Sequence, residues 1–113
     1  MRFDFKNKIL YTLDKSSIMI EKKYYKTKDY CKVKFTVASD AKKIEIFGLN
    51  NEWKKGVALA KKKDGSFAVE MNIDKGTQHE FKYLVDKKTW LNDDQADAQA
   101  LNVYGTTNSV VIV

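Results

Sequence analysis

Apolar and polar residues alternate along three segments of the chain, at 32–37, 67–73 and 81–85. Successive side chains of a β-strand point to opposite faces, so a period of two predicts a strand that buries one face against a core. The C-terminal run 109–113 is mostly apolar and has the length of a strand. We expect this last strand to be covered on both faces.

Turn-forming residues mark where the predicted strands end. A short strand at 44–47 stops at Gly48, where a residue without Cβ permits a sharp exit from the sheet. Residues 57–60 predict another short strand, and the Asp-Gly pair at 64–65 is a strong hairpin signal. Residues 91–107 are largely polar and are predicted to form a loop.

The spacing of the strands predicts the fold class. Strands recur every ~8–12 residues with turn residues between them, and nothing in residues 30–113 has the pattern of a long helix. We therefore predict an all-β protein, an Ig-like β-sandwich of about 7–8 strands in residues 30–113. Residues 1–29 show no period that separates strand from helix, and we predict an N-terminal extension or an added hairpin against the sandwich edge.

The composition fits one globular domain. The chain has 113 residues, 43% of them hydrophobic, and its single cysteine, Cys31, allows no internal disulfide. The first residues carry scattered charges instead of the apolar stretch of a signal peptide, and no window approaches ~18 apolar residues. We therefore expect a cytoplasmic protein with no membrane partner.

Most of the positive charge lies near the N-terminus. The net charge is +6, and residues 1–29 hold 8 Lys/Arg against 4 Asp/Glu, which leaves residues 30–113 close to neutral. A domain that tracks a phosphate backbone would spread positive charge over a whole face. We therefore expect no nucleic-acid partner, and the basic N-terminal segment is a candidate contact for a protein partner.

The residue pattern gives little support to catalysis or metal binding. His79 is the only histidine, with no cysteine or carboxylate cluster at metal-ligand spacing and no nucleophile assigned to it. Asp93, Asp94 and Asp97 fall in one predicted loop, whereas a glycosidase needs two carboxylates flanking a cleft. We expect a protein that is not an enzyme and that holds no metal or other cofactor.

The two tryptophans are the strongest candidates for a binding site. Trp53 and Trp90 each follow a predicted strand and have polar neighbours, whereas an indole of the core more often lies inside an alternating strand. Placed at one face of a sandwich, they would form a flat aromatic platform with polar groups at its rim. Such a surface suits a sugar, because aromatic faces cover the C–H face of the ring and polar groups bond its hydroxyls.

Further motifs surround the tryptophans in a definite order. They are a first strand at 26–37, then Gly48, Asn51 and Trp53, then 81–86 and Trp90, then Asn92, Asp93, Ala96 and Asp97, and last Gly105, Thr106 and 108–111. In this order, from about Lys22 to Val113, the chain resembles the isoamylase N-terminal (early-set) domain group, also called carbohydrate-binding module family 48. That group includes the glycogen-binding domain of the β subunit of AMP-activated protein kinase and small bacterial stand-alone versions.

The resemblance implies roles for six residues, all of them in sugar binding. In the glycogen-binding members two tryptophans stack on glucose units, and a lysine and an asparagine bond hydroxyls. A further residue near the last strand lies between glucose units. By resemblance the site consists of Trp53, Trp90, Lys82, Asn108, Thr106 and Tyr104.

The chain departs from the family pattern at three places. Leu49 and Asn50 occupy the turn that carries an aromatic residue in the family, and residues 86–89 replace an Asp-Gly hairpin before Trp90. Tyr104 stands where the kinase subunit has an aliphatic residue, and a ring at that place would stack on a sugar.

Three functional hypotheses remain open on the sequence. The first is a non-catalytic α-glucan-binding module for glycogen, starch or maltooligosaccharides. The alternative is an early-set interaction domain that has lost sugar binding and docks a protein through the basic N-terminal segment or an exposed tryptophan patch. A third, single-stranded nucleic-acid binding, differs from sugar binding by a steep dependence on salt.

Overall fold

The computed structural model describes residues 18–49 and 53–113. Within these ranges the chain forms ten β-strands and no helix, arranged as two antiparallel sheets. Three of the strands have only two or three residues, which leaves seven longer ones. The prediction of an all-β, Ig-like sandwich is confirmed.

The strands follow one another along the chain with short connections. They are β1 (Ile18–Tyr24), β2 (Tyr30–Ala38), β3 (Ile44–Gly48), β4 (Val57–Ala58), β5 (Ala60–Lys61), β6 (Ser66–Asp74), β7 (Gln78–Val85), β8 (Thr89–Leu91), β9 (Ala98–Leu101) and β10 (Thr107–Ile112). The larger sheet has the order β9-β10-β7-β3-β4, with β8 also paired to β7. The smaller sheet has the order β1-β2-β6-β5.

The hydrophobic core lies between the two sheets. β2 buries every second residue, as the period of two predicts, and its inward side chains meet Phe81 and Tyr83 of β7 there. Phe35 of the smaller sheet packs edge-on against Phe81 of the larger one, with ring centroids 5.2 Å apart. Burying a side chain of this size contributes about 1.5–3 kcal/mol, so the alternation fixes which face of each sheet is inward.

Part of the predicted N-terminal extension is a strand. β1 pairs antiparallel with β2 and is the outer strand of the smaller sheet. Lys22 of β1 forms an ion pair with Asp97, at 2.7 Å, which ties this strand to the segment before β9. Residues 1–17 of the predicted extension lie outside the described residues, and the proposed domain boundary at residue 30 stays a prediction.

The prediction of a single short strand at 57–60 is wrong in one respect. The segment forms two strands in different sheets, since β4 pairs with β3 and β5 pairs with β6. Leu59 between them is buried, and its N–H donates to the carbonyl of Ile44 at 2.9 Å. The chain therefore crosses from one sheet to the other at Leu59, whose side chain belongs to the hydrophobic core. The hairpin predicted at the Asp-Gly pair is confirmed, with Gly65 at φ 90°.

The prediction of one continuous loop at 91–107 is also wrong. Leu91 ends β8, and residues 98–101 form β9, which pairs in register with residues 107–110 of β10. β9 is an edge strand with three of its four residues exposed, so it lacks the alternation that reveals a half-buried strand. Its partner strand, rather than its own sequence, determines its conformation.

A buried carboxyl group anchors the turn between β8 and β9. Asp93 is fully buried and accepts a hydrogen bond from the Tyr83 hydroxyl at 2.8 Å and from the Gln95 N–H at 2.9 Å. Its own N–H donates to the Ser109 hydroxyl at 2.7 Å. Burial raises the pKa of Asp93 above its ordinary value of 3.8, because the two hydrogen bonds it accepts offset only part of the desolvation.

Candidate functional site

The outward face of the larger sheet holds the predicted site. In an antiparallel sheet directly opposed residues point to the same side, and Phe47 of β3 lies opposite Lys82 of β7. Leu84, two residues further along β7, lies opposite Trp90 of β8. Tyr83 between them points into the core. The sheet register therefore places Phe47, Lys82 and Trp90 on one outward surface.

Three aromatic side chains form a cluster on this surface. The rings of Trp53 and Trp90 have centroids 6.4 Å apart, and Phe47 packs against Trp90 at 5.3 Å. Trp53 is 37% exposed and Trp90 is 49% exposed, so both keep part of the indole accessible to a ligand. The structure thus brings the two predicted tryptophans together. Phe47 was not predicted, although its outward position follows from the alternation of 44–47.

The two indoles do not form the single flat platform that the sequence predicted. Their planes are inclined at 63°, and Phe47 meets Trp90 at 71°. Edge-to-face packing of this kind brings the positive ring edge to the negative ring face, which favours it over parallel stacking. The accessible aromatic surface therefore consists of two inclined faces.

The backbone at the end of β3 places Trp53. Gly48 has φ 98°, Leu49 has φ 58° and Trp53 has φ 69°, so several residues adopt the left-handed region as the chain leaves the sheet. The sharp exit predicted at Gly48 is confirmed. The indole lies so close above Gly48 that a Cβ there would be 3.0 Å from the ring. Residues 50–52, three of the polar residues that surround Trp53 in the sequence, lie outside the described residues.

A tight hairpin between β7 and β8 places Trp90. Asp86 and Lys87 both have positive φ, at 52° and 62°, as the turn types that match the twist of paired strands require. The Asp86 carboxylate accepts two bonds, from the N–H groups of Lys42 and Lys43, at 2.8 and 2.9 Å. The hairpin that replaces the family's Asp-Gly turn is therefore fastened to the chain just before β3.

A second contact fastens the same hairpin from the outward face. Glu45 of β3 is 8% exposed, and its Oε1 lies 3.3 Å from the ammonium nitrogen of Lys87. The Lys87 side chain is 63% exposed, so water screens this ion pair and it contributes little to stability. The hydrogen bonds of Asp86 are therefore the main support of the turn before Trp90, and the Glu45–Lys87 contact is secondary.

Polar side chains continue the surface beyond Lys82. The Lys82 ammonium donates to the Thr106 hydroxyl at 3.4 Å, and the Asn108 amide donates to a carboxylate oxygen of Glu80 at 2.9 Å. Asn102 joins these two pairs, since its amide donates to the Thr106 hydroxyl at 2.7 Å and to the Asn108 carbonyl at 3.0 Å. Three predicted site residues, Lys82, Thr106 and Asn108, thus belong to one hydrogen-bond network.

The members of this network differ in how accessible they are. Asn108 is only 8% exposed, and both its Oδ1 and its Nδ2 already have protein partners. Thr106 and Glu80 are exposed, and Lys82 is half-buried. Sequence reasoning missed Glu80 and Asn102, because neither stands out from the many polar residues around it.

Tyr104 lies in the turn between β9 and β10, and its side chain is 87% exposed. Its backbone N–H donates to the side chain of Asn102 at 2.9 Å, so the turn that carries the ring is anchored. Thr106 follows two residues later in the same turn.

The arrangement is suited to binding an uncharged polar ligand with apolar faces. The aromatic cluster offers hydrophobic surface, and the adjacent network offers amine, hydroxyl and amide donors. In residues 18–49 and 53–113, no three His, Cys, Asp or Glu side chains lie close enough together to hold a metal ion. The same residues contain no helix long and apolar enough to span a membrane.

One comparison with known families decides the classification. A sequence model of the family described as the glycogen recognition site of AMP-activated protein kinase matches residues 31–113. The chain belongs to this family. The match covers β3–β10 completely and includes all six predicted site residues, so the resemblance inferred from the sequence is confirmed. A search of curated proteins gave no match.

Membership of the glycogen-recognition family gives the function at a coarse level. The family is a glycogen-binding module that is typically non-catalytic, which supports carbohydrate binding by this chain. The β-sandwich and the aromatic surface described above agree with that assignment.

Proposed function

We propose that this protein is a non-catalytic α-glucan-binding module and that it binds on the outward face of the larger sheet. Glucose rings stack on Trp53 and Trp90, and Lys82 and Thr106 provide hydrogen bonds to hydroxyls. Asn108 adds one through the second proton of its amide, since Glu80 takes only the first. Glycogen, starch and maltooligosaccharides share the α-glucan chain that such a surface would bind. The observation that carries the proposal is the register that puts the aromatic cluster and the hydrogen-bond network side by side.

The inclination of the two indoles supports a curved rather than a flat ligand. An α-linked glucan chain curves, so that successive rings present faces that are turned relative to one another. Two aromatic faces inclined at 63° suit two such rings better than they suit the flat ribbon of a β-linked glucan. We therefore expect the site to prefer α-glucans to cellooligosaccharides.

The polar side of the site supplies mainly donors. Thr106 Oγ1 already accepts bonds from Asn102 and Lys82, so its own proton is available to a sugar oxygen. The exposed carboxylate of Glu80 adds an acceptor. Tyr104 on the adjacent turn provides a further ring for stacking. Because the surface is open and the ligand hydroxyls must lose water, we expect affinities in the micromolar to millimolar range.

Titration calorimetry with maltoheptaose tests the proposal. Binding should be present at low and high salt, since neutral hydroxyls release no counterions, and should be lost in Trp53→Ala and Trp90→Ala. Tyr24→Ala is a matched control, because Tyr24 is an exposed aromatic residue of β1, in the other sheet. Cellohexaose serves as the control ligand. No binding by a folded wild-type protein would overturn the proposal.

A second candidate function is the docking of a protein partner. Leu101, Val103 and Tyr104 are all strongly exposed around the turn between β9 and β10, and clustered exposed apolar side chains mark interaction surfaces. Since this candidate is an interaction domain that has lost sugar binding, it predicts that the folded protein does not bind maltoheptaose. The same titration therefore separates the two candidates.

A further inference from the structure

Asn102 closes the turn between β9 and β10 with both its backbone and its side chain. Its backbone N–H donates to the Thr106 carbonyl at 2.8 Å, and its carbonyl accepts from the Gly105 N–H at 3.2 Å. Its side-chain Oδ1 accepts from the N–H groups of Tyr104 and Thr106, at 2.9 and 3.2 Å. The amide oxygen of Asn102 is therefore committed to the turn itself.

The bonds accepted by Asn102 Oδ1 determine which way the side-chain amides of Asn102 and Asn108 point. Backbone N–H groups can only donate, so Oδ1 of Asn102 must face them and Nδ2 must point away. Nδ2 reaches the Thr106 hydroxyl at 2.7 Å and the Asn108 Oδ1 at 3.0 Å. At the other end of the Asn108 amide, Nδ2 donates to the Glu80 carboxylate at 2.9 Å. An ionised carboxylate can only accept, so this bond sets the same orientation of Asn108.

We propose that Asn102 is the positioning residue for the polar half of the binding surface. It holds the Asn108 amide in one orientation, and it occupies an acceptor site of Thr106 so that the hydroxyl proton points to the ligand. Asn102 acts through these two residues and needs no contact of its own with a sugar. The inference rests on the proposed α-glucan function.

Asn102→Asp separates this role from a purely structural one. An aspartate keeps an oxygen for the two N–H groups that close the turn, but it loses the donor to Thr106 and Asn108. The Thr106 hydroxyl then turns its proton toward the new carboxylate, and the Asn108 carbonyl is repelled by it. Asn102→Ala removes both functions. Asn72→Asp makes the same change in charge at an exposed position of β6, in the other sheet.

Three measurements on these variants test the proposal. With two donors lost, Asn102→Asp should bind maltoheptaose about tenfold more weakly than Asn72→Asp, and its melting temperature should fall less than that of Asn102→Ala, because it keeps the bonds that close the turn. The side-chain amide resonances of Asn108 should shift in Asn102→Asp without ligand, and in Asn102→Ala the melting temperature should fall as well. These resonances report the hydrogen bonds of Asn108, which a role for Asn102 confined to closing the turn would leave unchanged.

Three results would overturn the inference in different ways. Equal affinities of Asn102→Asp and Asn72→Asp, with normal wild-type binding, would overturn the positioning role alone. A weaker affinity accompanied by an equal loss of melting temperature in both Asn102 variants would show a structural role only. Failure of the wild type to bind maltoheptaose would overturn the proposed function, and this inference with it.

Discussion

Gly48→Ala tests how the end of β3 places Trp53. Gly48 has φ 98°, where a residue with a side chain is strained, and a Cβ added there would collide with the Glu80 carbonyl oxygen. The same Cβ would lie 2.9 Å from the Phe81 Cα and 3.0 Å from the Trp53 ring. Both backbone neighbours belong to β7, so the substitution must disturb the pairing of β3 with β7 or displace the indole.

The cost of this substitution has two parts. The left-handed conformation of alanine costs about 1–2 kcal/mol. The overlap with the β7 backbone adds about 1–3 kcal/mol, by comparison with overpacked cores. Together they give a loss of about 2–5 kcal/mol, a large share of the ~5–15 kcal/mol that stabilises a typical domain.

Gly65→Ala is the matched control. Gly65 has φ 90°, close to that of Gly48, but a Cβ added there would meet nothing within 4 Å. It should therefore lose only the conformational part, about 1–2 kcal/mol. The difference in the free energy of unfolding between the two variants, measured by urea denaturation, isolates the overlap. Equal destabilisation of both variants would refute the overlap, and normal maltoheptaose affinity in folded Gly48→Ala would show that the indole is not displaced.

Three further substitutions test other parts of the structure. Asp93→Asn removes a carboxyl whose pKa is higher in the folded protein than its ordinary value of 3.8. The free energy of unfolding of the wild type should therefore fall, relative to that of the variant, as pH rises from 3.8 through the raised pKa. Urea denaturation of both proteins at pH 3 to 8 checks the direction of this change. Asp86→Ala loses two hydrogen bonds to N–H groups, and should lower the free energy of unfolding by about 1–3 kcal/mol and weaken glucan binding in calorimetry. Phe47→Ala removes the ring that packs against Trp90, and should weaken glucan binding roughly threefold to tenfold. Phe47→Leu should have an affinity between those of the wild type and Phe47→Ala. Unchanged affinity in both variants would contradict a role for Phe47 in supporting Trp90.

Regular alternation made the main strands predictable. Val33, Phe35 and Val37 turn toward the core in the structure as the period of two required, and Lys82 lies on the outward face between Phe81 and Tyr83. Burial of one face of a strand can be recognised in the sequence, because charged residues are rarely found at its inward positions. Trp53 and Trp90 were placed outside the core for a different reason, that each follows a predicted strand. This reason is wrong for Trp90, which lies inside the short strand β8, but its indole is still exposed because it is on the outward face of the sheet.

Strands without a half-buried pattern could not be predicted. β9 lies at an edge with most of its residues exposed, and its pairing with β10 depends on a partner rather than on its own side chains. The crossing at Leu59 depends likewise on where the two sheets lie relative to each other. Neither feature leaves a local period in the sequence.

The site was predicted by residue type but not by geometry. The resemblance named Lys82, Thr106 and Asn108, yet nothing in the sequence shows that Asn102 joins them, since this requires the turn to fold back on itself. The sequence likewise does not show that the indoles are inclined, or that Phe47 packs edge-on against Trp90. Geometry of this kind arises from contacts between strands that are distant in the chain.

The most direct test of the account is a titration of the ¹⁵N-labelled protein with maltoheptaose, followed by ¹H–¹⁵N correlation spectra. If glucan binds on the outward face of the larger sheet, the indole N–H signals of Trp53 and Trp90 should shift together with the backbone signals of Lys82 and Thr106. Signals of β1 and of the outward residues of β2, on the other sheet, should stay in place. Shifts confined to the smaller sheet, or none at saturating ligand, would contradict glucan binding on this face.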